Sequence, residues 1–328
     1  MGRIAVIRHR IGVLRVVVSG GTGFIGRALV MTLCERGDDV VVLSRGRHIE
    51  GCGGLGARPM CCRGAGKVEL AAWTPEKAGS WSSVVDGADA VVHLAGAGVL
   101  DESWTPERKE VLRSSRIRST ELLAEAIARA DKKPRVFVSG SAVGYYGIHA
   151  DERILSEESP PGDDFLARLV VDWEGAAAAA REAGVRVAHP RIGLVVGRGG
   201  GMLEKMLPAF KAFVGGPVGT GAQYMGWIHL VDTVRALEHA LGTDLSGPFN
   251  VTAPEPVTMN VFAHALGEAL GRPSICRVPP FAVKLALGAR SEAVLSGQRA
   301  VPQRLVESGF DFVFPDLPSA LADIVTRS

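Results

Sequence analysis

Apolar positions in the first two thirds of the chain follow two alternating rhythms. Short unbroken runs, such as Val16-Val17-Val18 and Val40-Val41-Val42-Leu43, lack a polar face and read as strands buried on both sides of a parallel sheet. Residues 90–96, 134–139 and 185–188 repeat the signal. Between these runs the apolar residues recur at helical spacing. Residues 24–36 form one such stretch, closed by Gly37; residues 106–129 form another, opened by Thr105 and Pro106; residues 163–183 form a third. This alternation predicts an α/β fold, a doubly wound parallel sheet of the Rossmann type. Beyond the Gly199 to Gly201 turn the rhythm loosens. A turn-rich segment at 215–226 precedes Trp227-Ile228-His229-Leu230-Val231-Asp232, which opens a helix. A strand at 249–252 and helices at 259–270, 280–287 and 317–326 complete the reading. Residues 46–67 are rich in glycine and cysteine without periodicity and read as a mobile loop.

The first strand runs into Ser19-Gly20-Gly21-Thr22-Gly23-Phe24-Ile25-Gly26, where a helix begins at once. Gly20 and Gly21 let the chain leave the strand sharply. Gly23 removes a side chain where a pyrophosphate must approach the backbone, and Gly26 lets the helix pack on the strand. Free amides at the helix start then face the anion. Thr22, Phe24 and Ile25 complete this dinucleotide cradle; a purely structural glycine turn is the alternative. The second strand ends in Ser44-Arg45, with Arg47 close behind. An acid there would bind a ribose 2′-hydroxyl and repel a 2′-phosphate, whereas a hydroxyl and a guanidinium bind the phosphate. The expected cofactor is therefore NADP(H), against the alternative of a solvated loop arginine. Leu94, Ala95 and Gly96 close the strand at 90–96 on residues small enough for the cofactor to cross the sheet. His93, inside that strand, reads as a buried histidine with its hydrogen bonds met and not as a catalyst.

The strand at 134–139 leads to Gly140-Ser141-Ala142-Val143-Gly144-Tyr145-Tyr146-Gly147. A serine and two tyrosines at the carboxyl end of a central strand make Ser141, Tyr145 and Tyr146 the catalytic candidates, with a structural role for the tyrosines as the alternative. Arg191, Gln223, Trp227 and His229 are the expected substrate-side residues. The domain reading that follows has an extension at 1–13 and a cofactor domain at 14–190, completed by elements from 228–255. A smaller mixed α/β region spans 191–328. No low-complexity linker separates them, so the second region is expected to pack on the first.

Composition narrows the classes. The chain has 328 residues, 47% apolar and 22% charged, which suits a globular protein with a sizeable core. A formal net charge of +2 and the lack of a basic run interleaved with aromatics give no reason to expect a nucleic-acid partner. No uncharged window reaches membrane-spanning length. Arg3, Arg8 and Arg10 precede an apolar stretch in the manner of a signal peptide, but Arg15 breaks it and it runs into the glycine turn, which argues against cleavage there. Of five cysteines, Cys52, Cys61 and Cys62 cluster without histidines at zinc-finger spacing. They read as reduced thiols of a cytoplasmic protein, with a metal site as the alternative. The expected partner is a small-molecule substrate; the oligomeric state is open.

Ser19 to Gly26, His93-Leu94-Ala95-Gly96, Ser139-Gly140-Ser141-Ala142 and Trp227-Ile228-His229 with Asp232 resemble the extended short-chain dehydrogenases/reductases, the NAD(P)-dependent sugar-nucleotide epimerases and their relatives. Gly297-Gln298-Arg299, Val301-Pro302, Gly309-Phe310 and Phe314-Pro315 resemble the tail domain of an epimerase-like family whose substrate is generally unassigned. The resemblance implies cofactor contacts at Ser44, Arg45, Leu94, Ala95, Glu110, Arg116 and Val195. It also exposes a departure. Phe165 and Leu169 stand where the superfamily's catalytic tyrosine and lysine belong, and Arg168 is one position off and does not titrate as a base. The implied activity is that of an NADP-dependent oxidoreductase or nucleotide-sugar epimerase with relocated acid–base chemistry. The alternative is a non-catalytic NADP-binding sensor or scaffold.

Overall fold

The computed structural model describes residues 13–46, 66–149 and 151–326. The expected extension before Val13 and the loop residues Arg47, Cys52, Cys61 and Cys62 lie outside them. The chain begins β1 (Arg15–Ser19), α1 (Phe24–Arg36), β2 (Asp39–Ser44), β3 (Val68–Ala72) and β4 (Ala90–His93). Then come α2 (Pro106–Ser114), α3 (Ile117–Arg129), β5 (Val136–Ser139), β6 (Ser141–Ala142), α4 (Phe165–Gly175), α5 (Ala178–Glu182) and β7 (Arg186–Ile192). The remainder is β8 (Leu194–Val196), α6 (Gly201–Lys211), β9 (Tyr224–Met225), β10 (Trp227–His229), α7 (Leu230–Gly242), β11 (Gly247–Val251), β12 (Val257–Thr258), α8 (Met259–Leu270), α9 (Pro280–Leu287), α10 (Ser291–Leu295), α11 (Gln303–Glu307) and α12 (Leu317–Thr326).

The main sheet is parallel, in the order β11-β7-β5-β4-β1-β2-β3, with β6 beside β7. This is the doubly wound sheet expected from the apolar runs. Alternation along β1 sends Val16 and Val18 into the core under α1 and α7. Val17 points the other way, into a cluster with Leu123, Ile127 and Phe137. Chain order reverses between β1 and β4, and the crevice at such a reversal is where α/β proteins hold ligands. A third core, Phe210, Trp227, Phe262 and Leu321 among others, joins α6, α8 and α12 beyond the sheet.

Two expected helices are broken. Residues 106–129 form α2 and α3, separated at Ser115 and Arg116. No proline or glycine marks the break. One tertiary bond and one local bond hold it: the Ser115 hydroxyl accepts from the Ala97 amide (3.1 Å), and the Arg116 side chain turns back to donate to the Leu112 carbonyl four residues earlier (3.3 Å). Residues 163–183 divide likewise into α4 and α5, with the α4 start fixed by Asp164, which accepts from the Leu166 and Ala167 amides. Gly37 caps α1 in the left-handed conformation, φ 104°, as its position implies.

Candidate functional site

The cradle after β1 is built by close approach. Gly20 has φ 73°, and a Cβ there would lie 2.6 Å from the Leu94 carbonyl carbon. At Gly26 a Cβ would fall 2.1 Å from the Gly20 carbonyl oxygen. Gly23 donates to that same oxygen at 2.9 Å, closing the turn. Thr22 and Gly23 are exposed and Phe24 and Ile25 half-buried, so this backbone faces outward at the start of α1. The first amides of a helix have no intrahelical acceptor and carry its positive dipole end. A pyrophosphate fits that cradle in both space and charge. The Phe24 ring packs against Gly197, Gly200 and Gly201, so a second glycine loop walls the crevice.

Around the cradle, Ser44 accepts from the Gly46 amide (3.2 Å) and turns the chain at the tip of β2, leaving Arg45 exposed. Gly96 is exposed at the end of β4, with the Arg116 guanidinium packed against it. Arg116 also lies over the Trp173 ring at 5.3 Å and has no carboxylate partner among the described residues. Burial, with the charge of Arg108, lowers its pKa to about 10. A cation so placed, without an internal anion, suits a phosphorylated ligand. Glu110 is exposed on α2, and Val195 is buried in β8 beside Ile228.

His93 is fully buried between the Ser19 hydroxyl at Nδ1 and the Ser119 hydroxyl at Nε2 (3.0 Å). It is the hydrogen-bonded core histidine expected. Burial, then the charge of Arg116, pulls its pKa down to about 3. Burial likewise takes His189 down to about 4. Between these values and about 6.5 the unfolded chain binds protons that the folded chain refuses, so stability rises with pH. Urea midpoints are therefore expected to fall steadily as pH drops from 7 to 5. His93→Gln is expected to flatten that slope by about 1.4 kcal/mol per pH unit at most.

Ser141 begins a chain of buried polar groups. Its hydroxyl donates to Glu174 Oε1 at 2.6 Å. Arg191, the register partner of Ser141, grips the same carboxylate through Nε (2.8 Å) and Nη2 (3.0 Å). Arg191 Nη1 reaches the Tyr146 hydroxyl (3.2 Å), which donates to Asn250 Oδ1 at 2.7 Å. Asn250 then donates to the Val301 carbonyl, and its backbone amide donates to Glu157. Burial opposes the Arg191 charge, but the bonds and charge of Glu174 outweigh it and hold the guanidinium above the usual arginine range. Burial pushes Tyr146 up to about 12 despite Arg191 and Asn250.

This arrangement corrects several expectations. Tyr146 is 0% exposed and its hydroxyl is committed internally, so it faces no ligand. Ser141 opens β6, two residues past the end of β5, but it is buried and its proton is given to Glu174. Arg191 is 2% exposed, a brace for Glu174 and not an open substrate contact. Trp227 is a core residue donating to the Glu255 carbonyl. His229 is buried, caps α7 by accepting from the Val231 amide and packs on Phe314. Gln223 is half-buried, with its amide on the Val218 carbonyl (2.9 Å). Residues of motif-like sequence are thus used to hold the strand ends together. Tyr145 differs: it is half-exposed, its ring edge-on to Tyr146 and the Arg191 guanidinium 3.3 Å from its centroid. Phe165 and Leu169 are packed with Trp104 and Leu112, which fills the tyrosine–lysine positions with apolar side chains.

Glu174 and Asn250 join the network without having been singled out. Asn250 is brought in by the β11–β7 register, which sets it opposite Arg191, and Glu174 by the packing of α4 beside β6. Among the described residues there is no metal-ligating cluster, and no helix is long and apolar enough to cross a membrane.

A parallel sheet with a glycine cradle at its reversal point defines a dinucleotide-binding protein of the Rossmann class. Residues 16–252 match the model of the NAD dependent epimerase/dehydratase family, and residues 278–324 match a domain of unknown function, DUF1731. The chain belongs to the NAD dependent epimerase/dehydratase family. It is 40% identical over 314 residues to an epimerase family protein of Mycobacterium leprae, covering 95% of this chain and 96% of that one. The crystal structure of the human epimerase family protein SDR39U1 (isoform 2) with NADPH superposes with a TM-score of 0.82 at 33% identity, over 96% of this chain and 100% of that chain. A nucleoside-diphosphate sugar epimerase from Corynebacterium glutamicum gives 0.73 at 32% identity, over 96% of this chain and 58% of that one.

Proposed function

We propose that this chain is an NADP(H)-dependent oxidoreductase or epimerase-type enzyme of the cytoplasm that acts on a small molecule without the usual tyrosine–lysine pair. The observation that carries the reading is the pairing of an outward-facing cradle with a half-exposed phenol, Tyr145, at the carboxyl ends of one sheet. Bound NADP(H) supplies or accepts hydride. The free amides of Thr22, Phe24 and Ile25 would hold the pyrophosphate, Ser44 and Arg45 the 2′-phosphate, and Arg116 a second anionic or ribose oxygen. Tyr145 moves the proton that accompanies hydride, and the Arg191 guanidinium fixes its ring. The human relative's NADPH complex supports the cofactor.

Two outcomes test it. Arg45→Glu is expected to weaken NADPH binding at least about tenfold while leaving NADH within about twofold, read by fluorescence titration. NADPH oxidation across carbonyl and sugar substrates is expected to reveal turnover, and Tyr145→Phe to lower kcat by about 10²-fold or more. Turnover untouched by Tyr145→Phe would remove the phenol from the mechanism.

One observation favours a second reading, a non-catalytic NADP sensor or scaffold: the Ser141 and Tyr146 hydroxyls are spent inside the protein. Tight NADPH binding with no oxidation in any such screen would select it.

A further inference from the structure

The tail region carries an apolar surface that the described residues leave uncovered. Ile275 is 82% exposed, Phe281 72% and Leu285 87%. Phe281 and Leu285 lie one turn apart on the outer face of α9, while Val283 is buried and seats the helix on the body. The segment before α9 runs beside the end of α6. There the Cys276 amide donates to the Gly215 carbonyl (3.0 Å) and the Val278 amide to the Pro217 carbonyl (3.0 Å). That pairing brings the exposed Phe213 and Val214 alongside Ile275. Phe213 has φ 63°, the sole positive φ at a non-glycine residue among the described residues. Left-handed backbone under a bulky side chain costs free energy, and such strain gathers at functional surfaces.

The surface is also basic. Residues 269–291 hold Arg272, Arg277, Lys284 and Arg290 and no Asp or Glu, and Lys211 is exposed two residues before Phe213. Glu268 and Glu292 bracket the segment without pairing to it. None of these cations forms an ion pair among the described residues. The contacts of the arginines go to neutral groups: Arg272 lies over the Phe213 ring (4.4 Å), Arg277 donates to Asn260 Oδ1 (2.9 Å) and Arg290 to the Leu100 carbonyl (2.9 Å). Their charges are left for an outside partner.

That charge disfavours a second copy of this chain, since a two-fold contact sets the patch against itself and cation against cation. The shape disfavours a peptide: side chains as exposed as Ile275 and Leu285 project outward and line no groove. Projecting apolar side chains among cations fit a bilayer with anionic head groups. Phenylalanine and leucine enter the head-group boundary, and lysine and arginine stay with the lipid charges. We propose that α9, with the adjoining turns at Phe213 and Ile275, docks this protein peripherally and reversibly on an anionic lipid surface. The proposal is independent of the enzyme reading and requires no spanning helix.

The test is sedimentation of the full chain with vesicles of two parts phosphatidylcholine to one part phosphatidylserine and, in parallel, with phosphatidylcholine alone. The mixed vesicles are expected to bind at least about tenfold more tightly, with affinity falling as salt is raised. The double variant Phe281→Ser, Leu285→Ser is expected to weaken mixed-vesicle binding at least about tenfold, and Lys284→Glu at least about fivefold. These side chains are exposed, so NADPH affinity in the same preparations is expected to stay unchanged and reports an intact fold. Phe281→Trp is expected to add blue-shifted emission when mixed vesicles are present. The proposal falls if mixed vesicles bring down no protein, if phosphatidylcholine alone binds as well, or if the variants bind like the parent. A dimer by light scattering that the double variant reduces to a monomer would give the face to a second copy and overturn the proposal too.

Discussion

Arg191→Met is expected to lower the unfolding free energy by about 3–5 kcal/mol, the usual cost of stranding one half of a buried ion pair. The Arg191 side chain is 3% exposed and that of Glu174 14%, so solvent does little to relieve the carboxylate left behind. The same change also opens the Tyr146 hydroxyl and strips the cation from the Tyr145 ring. Glu174→Gln in the same background removes the orphaned charge and is expected to recover part of the loss. Urea denaturation of the two single variants and the double variant gives the coupling directly. A loss below about 1 kcal/mol in the single variant would mean that the pair is solvated in the folded protein.

Gly26→Ala is expected to weaken NADPH binding at least about a hundredfold, or about 3 kcal/mol. The new Cβ, 2.1 Å from the Gly20 carbonyl oxygen, must push α1 away from β1 or distort the turn that aims the amides. Both movements spoil the cradle. Gly37→Ala is the matched control at the far end of the same helix. No neighbour lies within 4 Å of its Cβ, so it costs only the strain of a left-handed alanine, about 1 kcal/mol, and should leave affinity alone. Fluorescence titration of NADPH reads both variants, and equal affinities would remove Gly26 from the site.

Strands β1, β2, β4, β5, β7 and β11 and the three helices at 259–270, 280–287 and 317–326 were legible because local pattern and tertiary packing agree there. The cradle was legible too, since a glycine cluster between strand and helix is a contiguous signal. The break at Ser115 was not, because its cause is a hydrogen bond to Ala97, eighteen positions away. The roles of Arg191, Trp227 and His229 were misread for a related reason. An arginine at a strand end looks like a ligand contact until the packing of α4 places Glu174 against it. Tyr145 and Tyr146 are neighbours with the same chemistry in sequence; only the packing of the turn sends one to the core and leaves the other half-exposed.

The Asp232 carboxylate is wholly buried, and its two oxygens accept from the amides of Val313 and Phe314 at 2.9 and 2.8 Å. The two recognised segments, 16–252 and 278–324, are therefore stitched through the interior of one body. Severing the tail would take both amide donors from the Asp232 carboxylate and leave it only Arg235, at 3.2 Å on the same helix.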